Sequence, residues 1–218
     1  MQQYMTIFLR ITMLCSSVFF TKTSFGQSED FMGQVQERIK QLVTKEYDSI
    51  IAYSFRYSYP PMPIPNAESL NKRSHSCDAF LVCFKNDSCF GICIAQYDSG
   101  IATSNRTLIQ AEPEIIKLRQ SWVKVKEEHF LPFTYKHTVD GKTSYDSVDA
   151  LHPAYGNLTF KSKNYYKTED FLPVVTAKKA WDWENINYDK NASLGLFAAY
   201  SSLIHLYDLL IGQFIYSK

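Results

Sequence analysis

The chain has 218 residues, with 23 Lys and Arg against 22 Asp and Glu, a formal charge of +1, and 15 Tyr and 15 Phe. No basic run exceeds the pairs Lys72-Arg73 and Lys178-Lys179, which excludes bulk electrostatic capture of nucleic acid or of an anionic membrane surface. The aromatic content excludes a disordered chain and predicts a packed core.

At the N-terminus, Arg10 precedes a short apolar run, Ile11 to Phe20, and the segment closes on Ser24-Phe25-Gly26. The run is far shorter than the roughly 20 residues needed to cross a bilayer, while Ser24 and Gly26 stand three and one positions before a cut after Gly26. The pattern predicts a cleaved export signal over 1–26. Lipid attachment at Cys15 is not expected, because the preceding Leu14 is larger than such sites take. Removal of the leader takes away Arg10 and Lys22 and no acid, leaving 192 residues with 21 bases and 22 acids. That length suits a single α+β domain over 27–218.

Phe31, Val35, Ile39 and Leu42 recur at helical spacing behind Ser28, which predicts a helix over 29–47. A β-prone run, Ile50 to Tyr59, is stopped by Pro60-Pro61-Met62-Pro63-Ile64-Pro65, whose locked φ angles suit an extended surface loop. The four cysteines left after leader removal, Cys77, Cys83, Cys89 and Cys93, fall within 17 residues. In an oxidising compartment they predict two disulfides, with three pairings open. Their spacing lacks the CxxC pairs of a zinc knuckle, so no metal site is expected. Two strands, 78–85 and 89–97, flank Asn86-Asp87-Ser88. A three-residue loop there sets residue 85 opposite 89 and brings Phe80, Val82 and Phe84 onto one face with Phe90, Ile92 and Ile94. Both faces read as covered, which places this hairpin centrally.

Glu112-Pro113-Glu114 opens a helix over 113–127, with Ile115, Leu118, Trp122 and Val125 as its apolar stripe. Strands 133–139 and 142–148 flank the two-residue turn signal Asp140-Gly141, and 158–166 reads as a further strand. Leu196, Phe197, Tyr200, Leu203, Ile204, Tyr207, Leu210, Ile211 and Phe214 form a broad stripe over 193–215. As a membrane span this helix places His205 and Asp208 near its centre at a few kcal/mol each, so docking on the protein's own sheet is expected and a stable span is not.

Pairing across the Asp140-Gly141 turn sets His137 opposite Ser144, with Asp146 diagonal on the same face. A serine nucleophile also requires an oxyanion hole, and no G-x-S-x-G elbow occurs, so polar side chains on a solvated ribbon are the simpler account. Ser201, His205 and Asp208 repeat the trio at helical spacing as a local patch. His75-Ser76-Cys77-Asp78 offers a thiol beside a base, silenced by a disulfide at Cys77. Asp182, Glu184, Asn185, Asn187, Asp189 and Asn191 are rich in oxygen, but an EF-hand frame puts Ala192 at its glycine and Ala198 at its bidentate Glu. Trp181-Asp182-Trp183, if extended, sets two indoles on one face, which is one way to build a sugar-stacking platform. Sequons stand at Asn86, Asn105, Asn157 and Asn191.

Together these features predict a mostly antiparallel sheet with N- and C-terminal helices packed on it, in an exported (periplasmic or extracellular) protein. No phosphate-cradling loop or cofactor motif is present, and none is expected. The function read from the residues is a non-enzymatic binding or structural module meeting a protein or glycan partner through aromatic surface. The alternative is a secreted hydrolase using His137, Ser144 and Asp146.

Overall fold

The computed structural model describes residues 31–57, 77–97, 100–148, 154–180 and 182–214. The expected leader at 1–26, the proline run, His75, Ser76 and Trp181 lie outside them. The architecture is α+β, with a mostly antiparallel seven-stranded sheet and helices toward both ends of the chain. Helix α1 runs over 31–45. Strands β1 (Ser49–Tyr57), β2 (Ala79–Lys85), β3 (Ser88–Tyr97), β4 (Gly100–Thr103) and β5 (Thr107–Leu108) follow, then helix α2 (Glu112–Lys124). A separate ribbon is made by β6 (Thr134–Val139) and β7 (Lys142–Ser147), after which β8 (Ala154–Ser162) and β9 (Tyr166–Phe171) return to the sheet. The chain closes with β10 (Lys179–Ala180), β11 (Trp183–Glu184), α3 (Tyr188–Ala192) and α4 (Gly195–Leu210). The sheet order is β4-β3-β2-β1-β8-β9, with β5 also on β3, so β1 is inserted between strands distant in sequence.

Period-2 alternation in the central strands feeds two cores. On one face Ile50, Ala52, Leu81, Cys83, Ile92 and Ile94 meet the α1 stripe of Phe31, Val35, Ile39 and Leu42, all buried. On the other, Ile51, Tyr53, Phe80, Val82, Leu158 and Phe160 meet Leu118 of α2 and Leu196, Ala199, Leu203, Leu206 and Leu210 of α4. Both faces of the β2–β3 hairpin are therefore covered, as expected of a central element. The buried arc of α4 also takes in Ala199, Ser202 and Leu206, outside the stripe read from the sequence, because this helix packs against both the sheet and α2. By length and composition Gly195–Gln213 is apolar enough to cross a membrane, and its buried side lies in the core of the protein.

The hairpin register differs from expectation. Lys85 pairs with Ser88, so the loop is the two residues Asn86-Asp87, with Asn86 at φ 50° in the left-handed region that asparagine tolerates. A one-residue change swaps which side chains share a face. Phe80, Val82 and Phe84 now stand opposite Cys93, Gly91 and Cys89, large against small, and bulk is divided between the two cores. At Gly91 the absent side chain admits Leu210 and Phe214, since a Cβ there lies 3.2 Å from Leu210 Cδ1 and 3.4 Å from Phe214 Cζ. The same register corrects the expectation of two bridges. Cys77 and Cys93 form a disulfide with Cα atoms 5.5 Å apart, while Cys83 and Cys89 are buried free thiols in the two different cores. Lying on opposite faces of the sheet, these two sulfurs have no path to each other.

The strand expected over 158–166 starts earlier, at Ala154, and ends at Ser162, and the polar edge strand β9 was not foreseen. Its sequence YKTEDF shows little apolar alternation, yet Glu169 is buried. The Glu169 carboxylate accepts from Phe130 N at 3.1 Å and lies 2.9 Å from His129 Nδ1, tying the segment after α2 to the sheet edge. Glu128 in that segment accepts from Leu196 N at 3.0 Å, capping the first turn of α4 where a carboxylate also meets the positive end of the helix dipole.

Candidate functional site

The β6–β7 ribbon carries the residues that the sequence nominated. Its turn is Asp140-Gly141, with φ angles of 51° and 74°, the pair of left-handed residues that a tight two-residue hairpin requires. His137 pairs with Ser144 and Tyr135 with Asp146. His137 Nδ1 lies 3.3 Å from Asp146 Oδ2, close enough for an ion pair when the ring is protonated but without hydrogen-bond geometry. Ser144 is exposed and makes no side-chain hydrogen bond among the described residues. The trio thus shares a face, with the His–Asp contact formed and the Ser–His link unformed.

On that same face Tyr135 meets Trp183 of β11, ring centroids 4.1 Å apart and planes 7° from parallel. This contact joins the ribbon to Trp183 of the Trp181-Asp182-Trp183 motif. Ile186 N donates to Thr134 O at 2.9 Å, and the Asn185 carboxamide accepts from Thr134 N and Asn187 N, locking β11 and its turn alongside β6. An offset stack of two rings is worth about 0.5–1.5 kcal/mol beyond its buried area. Trp183 remains 40% exposed. Beside Tyr135 lies the His137 ring, centroids 5.8 Å apart, with its Nδ1 buried, and the exposed Asp146 and Ser144 stand opposite Tyr135 and His137 on the same face of the ribbon.

The other constellations are placed apart. Ser201, His205 and Asp208 line the exposed side of α4, where His205 Nε2 lies 3.9 Å from Glu114 Oε1. Cys77 is consumed by its disulfide. Of the oxygen-rich run, Asn185 and Asn191 are buried and spend their carboxamides on backbone groups at Leu131, Thr134, Val175 and Ala177. Sequon residues Asn157 and Asn191 are buried with engaged carboxamides, while Asn86 and Asn105 are exposed.

One further concavity, about 450 Å³, opens where β1 and β2 meet α2 and Tyr165. Arg119 lies 5.0 Å over the Phe84 ring and donates to Asn86 O at 3.2 Å, while Asp48 accepts from Asn86 N at 2.8 Å. Both charges therefore hold the β2–β3 turn. The Tyr165 hydroxyl on its wall is buried with no hydrogen-bond partner among the described residues, and burial, then the nearby Glu127 charge, pushes its pKa up. No sequence signal marked this groove, because its lining comes from four separate stretches of chain. No family model, curated protein or solved structure matches the chain.

Proposed function

We propose that this is an exported, non-enzymatic binding module that takes up a glycan on the ribbon face built by Tyr135 and Trp183. The observation that carries the reading is the parallel stack of these two rings, with the indole left 40% exposed beside His137, Asp146 and Ser144. A stacked pair is rigid, so a sugar face meets a preformed aromatic surface at little entropic cost, and the surrounding polar groups suit hydroxyls. The Cys77–Cys93 bridge fits an oxidising compartment, in keeping with the expected leader over 1–26.

The test is a glycan array probed with the purified protein, followed by titration of the best sugar against Trp183→Ala and Tyr135→Ala. At least a tenfold loss of affinity in both, with unchanged circular dichroism, is expected. Retained affinity in Trp183→Ala, or an array without binding, overturns the reading. A second reading, a hydrolase, is favoured by one observation, the 3.3 Å approach of His137 to Asp146. It requires Ser144 Oγ to close on the imidazole, and His137→Ala then abolishes ester hydrolysis in an activity screen.

A further inference from the structure

We infer that β7 is the seam of a symmetric dimer, pairing antiparallel with β7 of a second copy so that Lys142 of each chain faces Asp146 of the other. This goes beyond the binding reading, since it concerns the edge of the ribbon rather than its aromatic face.

Strand β7 is exposed at all six positions, and among the described residues it pairs only with β6. The ladder reveals which of its backbone groups are spent. Val148 N donates to Phe133 O at 2.8 Å, so Phe133 and Val148 form a hydrogen-bonded pair, and alternation makes Tyr135 with Asp146, His137 with Ser144 and Val139 with Lys142 the others. The amides and carbonyls of Lys142, Ser144 and Asp146 therefore point at β6. Those of Thr143, Tyr145 and Ser147 point outward, an open edge of the kind that recruits another strand.

This alternation restricts the partner's register. Hydrogen-bonded pairs in an added antiparallel strand must join outward-pointing residues to outward-pointing residues. For two copies of β7 overlapping by at least three residues that leaves registers centred on Thr143, Ser144, Tyr145 or Asp146, the last of which sets Asp146 against its own copy. Only the register centred on Ser144 sets opposite charges face to face. Thr143 and Tyr145′ then exchange two main-chain hydrogen bonds, Tyr145 and Thr143′ two more, and Lys142 lies across from Asp146′ twice, at the closer, non-hydrogen-bonded positions. The charge complementarity is carried by one strand against itself, which identifies the occupant as a second copy of this chain. Because the two-fold axis stands perpendicular to the sheet, both Tyr135–Trp183 platforms lie on one side of a continuous four-stranded ribbon.

Cysteine trapping reads this register. In the register centred on Ser144, that residue faces its own copy within disulfide reach, whereas two Lys142 residues lie four positions apart, about 13 Å. In a Cys15→Ser background, which removes the one cysteine outside the described residues, Ser144→Cys under mild oxidation is expected to give a covalent dimer at low micromolar protein. Lys142→Cys is expected to give at least fivefold less. Adding Lys142→Glu to Ser144→Cys is expected to cut the dimer at least fivefold, and adding Asp146→Lys as well to restore it. These positions are exposed on the ribbon, and circular dichroism verifies that each variant is folded. Equal trapping at positions 142 and 144, no trapping at 144, or indifference to the charge reversals overturns the proposal.

Discussion

Asn191 pairs with Leu131 as one peptide group pairs with another: its Oδ1 accepts from Leu131 N at 2.9 Å and its Nδ2 donates to Leu131 O at 2.9 Å. The second amide hydrogen goes to Val175 O at 3.0 Å, and the side chain is fully buried. This carboxamide holds the segment after α2, the turn at Val175 and the start of the C-terminal helices in one place. Asn191→Ala takes the partner from Leu131 N and O and one of two donors from Val175 O, which Asn185 Nδ2 also reaches at 3.2 Å, so an overall loss of about 1–3 kcal/mol is expected in urea unfolding. Asn191→Asp keeps the acceptor but buries a charge without a cation, and is expected to be at least as costly.

The thiols of Cys83 and Cys89 are expected to stay silent toward a disulfide reagent at pH 8 in the folded protein and to react fully in denaturant. Burial pushes both up; Cys89 reaches about 12, with Arg119 and a backbone hydrogen bond opposing the shift. A raised thiol pKa means that unfolding releases a proton between the unfolded value near 9 and the folded one. This contribution to stability is therefore intact below about pH 9 and lost as pH rises toward 12. Unfolding midpoints measured across that window check the sign. Cys83→Ala with Cys89→Ala is expected to make the slope shallower, leaving the share that the raised tyrosines Tyr47, Tyr165 and Tyr200 contribute with the same sign.

Reduction of the Cys77–Cys93 bridge, or Cys93→Ser with Cys77→Ser, opens a loop with a sequence separation of 16. The chain-entropy account gives a loss of about 3 kcal/mol. Thermal unfolding with and without reductant measures it, and the double serine variant is expected to show no further response to reductant.

Helix α2 touches α4 closely at Gly195, where a Cβ lies 2.8 Å from Lys124 Cβ. Neither carbon can swing aside, so Gly195→Ala separates the helices and disturbs the Glu128 cap, at an expected cost of about 1–3 kcal/mol. Gly212→Ala, where a Cβ meets no atom of the described residues within 4 Å beyond its chain neighbours and its own helix backbone, is the control and is expected to be neutral.

Replacing Glu128 with Ala leaves Leu196 N without its acceptor and removes a negative charge from the start of α4. A loss of about 1 kcal/mol is expected in denaturant unfolding. Glu128→Gln keeps an acceptor oxygen and is expected to recover part of it.

Much of the scaffold is local enough to read along the chain. The stripes Phe31 to Leu42 and Ile115 to Val125 mark buried helix faces because a helix repeats every few residues, and Asp140-Gly141 announces its hairpin because few residues accept two successive positive φ angles. The pairing of His137 with Ser144 follows from that turn. The site itself was legible only in pieces: Tyr135 carried no signal as the partner of Trp183, since their contact spans 48 residues and depends on Ile186 and Asn185 docking against Thr134.

The amino-acid order by itself thus determined the helices, the most strongly alternating strands and the Asp140-Gly141 turn, all set by interactions within a few residues. Tertiary structure decided three things: the insertion of β1 between β2 and β8, the one-residue register that leaves Cys83 and Cys89 on opposite faces, and the meeting of Tyr135 with Trp183. Each turns on how side-chain volume is shared between two cores or on contacts between distant segments, and neither is written in any short window of residues.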